Sequence, residues 1–259
     1  MLNSPNWLKE LSGAWTFYTV LPQWPVIKPR FQRIARFAPC IGLGIGVLQA
    51  LLIASLSFSK WPDLSLPFIS IAFGLWVTGG IHLDGLMDTA DGISAGQQRC
   101  YEAMKDSRVG ASAIIALSIN IFLQIAALIK LKSLCIVAIP LAYFWGRYSQ
   151  IIAIGNYPSI QKSVSSKFHK NKWKGTLKES IPSIVCILIM LSAIHNLNII
   201  NSFKLHLIIG TFTGLAPAIA IPRFLANKLG GHSGDSYGAC VVLVETLTLL
   251  MLAIILPAN

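Results

Sequence analysis

The sequence predicts an all-α, polytopic integral membrane protein of about seven transmembrane helices with a cytoplasmic N-terminus. Three observations predict it. Apolar residues make up 54% of the 259 residues and charged ones only 12%, where a soluble domain carries roughly 25% charged residues. Apolar stretches of about 17 to 22 residues recur along the chain, long enough to cross a bilayer, and the mean hydropathy is +0.64. Finally, Lys and Arg gather on alternate connections. The chain is expected to form a single transmembrane helical domain over 1–259.

Residues 1–37 mix Lys9, Lys28, Arg30, Arg33 and Arg36 with prolines and have no apolar core before a small-residue cleavage site, so no cleavable signal peptide is expected. This segment is predicted to lie along the interface, with Trp7, Trp15, Phe17, Tyr18 and Trp24 as headgroup-level anchors. Spans are expected near 38–58, 64–83, 109–129, 133–154, 182–200, 205–221 and 238–256. Gly42, Gly44 and Gly46 imitate a nucleotide fingerprint but sit inside a span without a preceding strand, so Gly42 and Gly46 are read as helix–helix packing positions.

The N-terminus, 84–108, 155–181 and 222–237 then share one side, holding five, three, six and two Lys/Arg. The other side holds only Lys60, Lys130, Lys132 and Lys204. That bias places the first set in the cytoplasm and accounts for most of the net charge of +11 without invoking nucleic acid. The basic loop 155–181 is read as a topogenic element touching anionic lipid, or else as a clamp for an anionic substrate. Five scattered cysteines form no CxxC pair and are taken as small apolar fillers.

The acids are concentrated. Of only ten Asp and Glu, five lie between 84 and 106: Asp84, Asp88, Asp91, Glu102 and Asp106. On a helix with about 100° per residue, Asp84, Asp88 and Asp91 fall within about 60° of one another and share a face. Two carboxylates about 6 Å apart repel by roughly 2 to 3 kcal/mol at an effective dielectric near 20. Three on one face beside a bilayer therefore call for a cation, and oxygen ligands suit Mg²⁺, Mn²⁺ or Ca²⁺. Gly85 and Gly92 are expected to keep the helix surface low for a bulky phosphate ester.

Candidate phosphate binders stand close by: Arg99, Lys105 and Arg108 in the same segment, and Arg147 inside the fourth span. The alternative for Arg147 is a structural ion pair with one of the aspartates. His82 is weighed both as a substrate-binding group beside Asp84 and as an interfacial hydrogen-bonding residue. Before the last span, KLGGHSGDSYGACVVLVE supplies Asp235 and Glu245, and Gly231 and Gly234 offer backbone N–H groups for phosphate oxygens.

The stretches GGIHLDGLMDTADG, EAMKDSRVG, LGGHSGDSYGA and the opening FYTVLP resemble, in family order, the cobalamin synthase family, adenosylcobinamide-GDP ribazoletransferases. The resemblance implies a transferase of the last steps of vitamin B12 assembly. It would join adenosylcobinamide-GDP to α-ribazole or its 5′-phosphate, giving adenosylcobalamin or its 5′-phosphate and GMP, with Mg²⁺. Residue by residue, Asp84, Asp88 and Asp91 match the first acidic motif and Arg99, Glu102, Asp106 and Arg108 the second. Arg147 matches an arginine after the middle spans, and Asp235 the C-terminal acid.

Two departures stand out: Val20 replaces an arginine, and SVSSKF replaces a glycine-rich central segment. The implied location is the bacterial cytoplasmic (inner) membrane with the active face cytoplasmic; docking of other corrin-pathway enzymes stays open.

The expected chemistry is displacement at a phosphoanhydride. Asp84, Asp88 and Asp91 ligate Mg²⁺, with Asp235 or Asp106 completing the site. Asp91 is the expected base, and Arg108, Arg147 and Lys105 hold phosphate oxygens. Among alternatives, a CDP-alcohol phosphotransferase requires an arginine after Asp84–Gly85 that Leu86-Met87-Asp88 does not supply. A prenyltransferase would show DDxxD-like motifs, which are absent. A cation-coupled transporter would spread its acids near the midplane of several spans, and these cluster at one interface.

Overall fold

The computed structural model describes residues 4–160, 168–196 and 200–257. Among them the regular structure is helical. Helix α1 (Asn6–Tyr18) leads through a short 3₁₀ turn to α2 (Ala38–Phe58). Then come α3 (Leu66–Thr78), α4 (Ile81–Ser94), the single-turn α5 (Cys100–Ala103), α6 (Ala111–Leu131) and α7 (Cys135–Asn156). The turn α8 (Thr176–Glu179) precedes α9 (Ile181–Asn196), α10 (Asn201–Thr213), α11 (Leu215–Leu229) and α12 (Gly234–Ile255).

By length and apolarity, four helical stretches among the described residues can cross a membrane: 34–58, 111–156, 203–229 and 234–255. A fifth is added when α3 and α4 are counted as one broken span. The expected span at 182–200 corresponds to α9, which at 16 residues falls short of about 20. The expected span at 64–83 is not one straight helix. Gly79 and Gly80, at φ +61° and +71°, break it in the left-handed region that glycine enters at no steric cost. The chain bends by 92° and resumes as α4.

Two ends of the bundle can be told apart by what packs there. Ile53, Leu66, Leu131, Cys135, Leu252 and Leu256 gather at one end. Ala35, Leu86, Ile154, Leu225 and Tyr237 gather at the other, with Ala116 against them. The 111–156 stretch therefore doubles back at Lys132–Leu134, where Lys132 has φ 50°.

Helix α7 is the hub. A Cβ on Gly42 or Gly46 of α2 would come within 2.4 Å of the α7 backbone at Tyr143 and Pro140, so α2 and α7 touch through these glycines as expected. On the opposite side Gly146 admits Glu245 of α12. Polar clasps tie other pairs: Ser70 to Gln49 at 3.0 Å, and Gln124 to Thr246 to Asn120 at 2.9 and 2.6 Å.

The N-terminal segment departs from a simple interfacial strip. Arg30 donates from its backbone to Lys9 O at 2.9 Å, and Glu10 is buried beside Arg36 at 3.6 Å. Trp7 is exposed as an anchor should be, but Tyr18 is buried with its ring 5.9 Å from His82. Tyr18 is a core residue because α1 packs against the start of α2 and the end of α3.

Candidate active site

The acidic helix and the last helix cross where both are narrowest. A Cβ on Gly85 would sit 2.4 Å from Asp235 O, and one on Gly238 would sit 3.0 Å from His82 O. The helices therefore run antiparallel in near backbone contact. Leu83 and Leu86 press into the apolar cluster of Tyr237, Cys240 and Val242, which leaves the aspartates on the other face of α4. Gly85 and Gly92 do not open room for a phosphate ester. Their space is taken by Asp235 and by Met104, whose Cγ would lie 2.4 Å from a Cβ on Gly92.

Asp88 consequently has three negative neighbours, Asp84, Asp235 and Asp91. Asp84 is exposed, and Asp88 and Asp235 are half-buried. Lys105 is the cation whose charge reaches Asp235, and its Nζ lies 4.5 Å from the Tyr101 ring centroid. Asp84 also lies in the first turn of α4, where the helix dipole favours negative charge.

Asp91 does different work from that expected. Its two oxygens accept backbone N–H bonds from Gly110 at 2.7 Å and Ala113 at 2.9 Å, so it caps α6 from outside. A Cβ on Gly110 would meet that carboxylate at 2.5 Å and push it aside. A carboxylate already accepting two amide protons is poorly placed to take a substrate proton.

Asp106 also stands apart. It receives the Arg108 backbone N–H at 3.0 Å and its guanidinium at 2.6 Å, an exposed pair that holds the Asp106 carboxyl down at about 2. Asp106 is thus paired with its own neighbour Arg108 and not with Asp84, Asp88 and Asp235. Arg99 is exposed at the start of α5.

Arg147 pairs with Glu245, both buried, and its guanidinium lies 4.4 Å from the Tyr143 ring centroid. The pair joins α7 to α12 inside the bundle. A phosphate-holding role is therefore not what this geometry offers, and the partner is a glutamate rather than one of the aspartates. His82 is buried in the same region. It lines, with Arg147, Glu245 and Tyr143, a small cleft of about 30 Å³, room for a water. His82 Nε2 and Arg147 Nε have no hydrogen-bond partner among the described residues.

The glycine-rich segment is held by its own hydrogen bonds. Gly231 N–H goes to Ala226 O at 3.1 Å and His232 N–H to Pro158 O at 2.9 Å. Gly231 therefore ends α11 instead of cradling phosphate, while Gly234 opens α12 behind the Ser233–Ser236 capping box. His232 is buried between Ser236 Oγ and Pro222 O, both at 3.0 Å, and burial lowers its imidazole to about 4. His169, stacked edge-on to Tyr237, is lowered to about 4 for the same reason. Neither histidine stands out in the sequence, since a lone histidine carries no spacing signal. The SVSSKF departure lies in part outside the described residues, but its Phe168 stacks on Phe17 at 6.2 Å. Val20, the other departure, touches the Gly79 bend.

Residues 10–253 match the family model described as cobalamin-5-phosphate synthase. The chain belongs to this family. It is 60% identical over 259 residues, all of both chains, to an adenosylcobinamide-GDP ribazoletransferase of Prochlorococcus marinus strain SARG. A second protein of that name, from Prochlorococcus marinus strain MIT 9313, is 47% identical over the full length of both chains. One from Trichormus variabilis is 35% identical over 96% of this chain and 98% of its own. No solved structure matches the chain.

Among the described residues no three His, Cys, Asp or Glu side chains converge tightly enough to enclose an ion by themselves. Mg²⁺ is usually held by one or two carboxylates together with substrate phosphate and water. The oxygen-only set of Asp84, Asp88 and Asp235 fits that pattern in chemistry, with a charge surplus that a divalent cation would offset.

Proposed function

We propose that this chain is an adenosylcobinamide-GDP ribazoletransferase, joining the guanylated corrinoid to α-ribazole or its 5′-phosphate with release of GMP. The observation that carries the reading is 60% identity across all of both chains to a protein of that name. The meeting of Asp84, Asp88 and Asp235 at the α4–α12 crossing supports it.

In the proposed reaction a ribose hydroxyl oxygen bonds to the phosphorus next to the cobinamide. The bond from that phosphorus to the GMP oxygen breaks, and the hydroxyl proton passes to a carboxylate of the cluster. Asp84, Asp88 and Asp235 would hold Mg²⁺, which when bound neutralises charge on the diphosphate. Lys105 attracts the diphosphate, and Asp91 keeps α4 and α6 in register through its two N–H bonds. Asp88 or Asp84 accepts the proton, because Asp91 is engaged with backbone.

The site is proposed to face the cytoplasm across a seven-span topology with an inner N-terminus. Splitting 111–156 at its hairpin, and counting α3–α4 and the short α9 as crossings, yields that number. The concentration of Lys and Arg on the acidic side supports the orientation. The test is GMP release by purified protein in liposomes, with guanylated adenosylcobinamide and α-ribazole phosphate. An Asp88→Asn protein that folds and keeps full Mg²⁺-dependent turnover would remove the cluster from the chemistry.

A further inference from the structure

A groove of about 560 Å³ opens beside the acidic helix, walled by Gly92, Gly96 and Gln97 on one side and Phe224, Asn227 and Lys228 on the other. Its volume lies within the roughly 300 to 1,000 Å³ typical of small-molecule pockets. It lies beyond the aspartates along α4: Asp84 and Asp88 precede Gly92 by eight and four residues, about 6 Å per step along the helix. Gly96, just past the end of α4 at φ +77°, has nothing within 4 Å of where a Cβ would stand, so the groove is open there, while Met104 covers the Cβ side of Gly92. The opposite wall is the last turn of α11. There the half-exposed Phe224 ring faces the groove and Lys228 Nζ lies 5.9 Å from its centroid. That wall runs directly into the segment carrying Asp235.

We infer that this groove binds the guanosine end of the guanylated substrate, and hence the departing GMP. The inference rests on the proposed function for the identity of the substrate. Phe224 offers a π-face for a purine, and stacking on an aromatic side chain is a strong, geometry-tolerant contact for a base. Gln97 and Asn227 each present a donor and an acceptor, as the O6, N1–H and N2–H₂ edge of guanine requires. Lys228 supplies a cation for the nucleotide phosphate. With the base here, the phosphates point back along α4 toward Asp88. The benzimidazole of α-ribazole carries methyl groups where guanine carries hydrogen-bonding atoms, so it would leave both amides unmatched.

The experiment measures binding of a fluorescent GMP analogue to purified full-length protein, and steady-state kinetics with both substrates. Phe224→Ala and the double variant Gln97→Ala/Asn227→Ala alter exposed side chains and are checked for wild-type melting. GMP-analogue affinity is expected to fall about tenfold to a hundredfold. KM for the guanylated substrate should rise in parallel, while KM for α-ribazole phosphate stays within twofold. Unchanged GMP affinity in both variants overturns the inference, and so does a selective rise in KM for α-ribazole phosphate. A wild-type protein that binds the analogue through Phe224 but never turns over would instead overturn the proposed function.

Discussion

The closest backbone approach in the site is the contact of Gly85 with Asp235, and it can be perturbed by one methyl group. In Gly85→Ala the new Cβ would lie 2.4 Å from Asp235 O and 3.1 Å from Asp235 C and Cα. An ordinary carbon–oxygen contact needs about 3.4 Å, so α4 and α12 must part by about 1 Å, and backbone cannot rotate out of the way as a side chain could. Overpacking of this kind costs about 1 to 3 kcal/mol of stability. A 1 Å misplacement of reacting groups can cost about a hundredfold in rate. The expected result is a folded protein with modestly lowered melting temperature, turnover reduced about a hundredfold, and a raised Mg²⁺ requirement. The assay is GMP release over a Mg²⁺ titration, with thermal melting in the same detergent. Gly44→Ala is the control, because nothing lies within 4 Å of its Cβ, and it should be neutral. Turnover of Gly85→Ala within twofold of wild type would refute the claim that this crossing sets the site.

Breaking the buried Arg147–Glu245 pair by Glu245→Leu alone should cost about 3 to 5 kcal/mol, whereas Arg147→Met/Glu245→Leu together should regain most of it in a denaturation series. Acid should destabilise the loop at His232. The unfolded imidazole protonates near pH 6.5 and the folded one only near pH 4, so stability is complete above about pH 6.5 and is lost as pH falls from there toward 4. His232 contributes about 3 kcal/mol of that loss and His169, lowered to the same value, about as much again, so His232→Gln should remove about half of the shift in melting midpoint. Cys40 and Cys186, whose Sγ atoms lie 3.5 Å apart, should cross-link under mild oxidation, detected by mass spectrometry as one disulfide joining α2 to α9. Failure to cross-link in the native protein would contradict the placement of α9.

The sequence shows its periodic features and hides those that depend on a distant partner. The face shared by Asp84, Asp88 and Asp91 follows from helical spacing, and the structure does place all three on α4. Which of them is available does not follow, because Asp91 is claimed by backbone amides about 20 residues further on. Gly42 and Gly46 are legible as packing positions, since small residues four apart imply close helices. Gly85 is equally visible, yet whether a ligand or Asp235 fills its space is decided by α12, about 150 residues away. Arg147 stands out as a buried charge, but its partner lies beyond local inspection. The Gly79–Gly80 pair reads in sequence as the end of a span, and only its two positive φ angles reveal a bend that carries the acids back against the bundle.

The central claim is that this chain performs the transfer at the Asp84–Asp88–Asp235 cluster. The most direct measurement is GMP release by wild-type and Asp235→Asn proteins in liposomes, with guanylated adenosylcobinamide, α-ribazole phosphate and Mg²⁺. Stoichiometric GMP and joined corrinoid are expected from the wild type, abolished by chelation and reduced at least a hundredfold in Asp235→Asn at unchanged melting temperature. Undiminished release by Asp235→Asn, or none by the wild type, would contradict that claim.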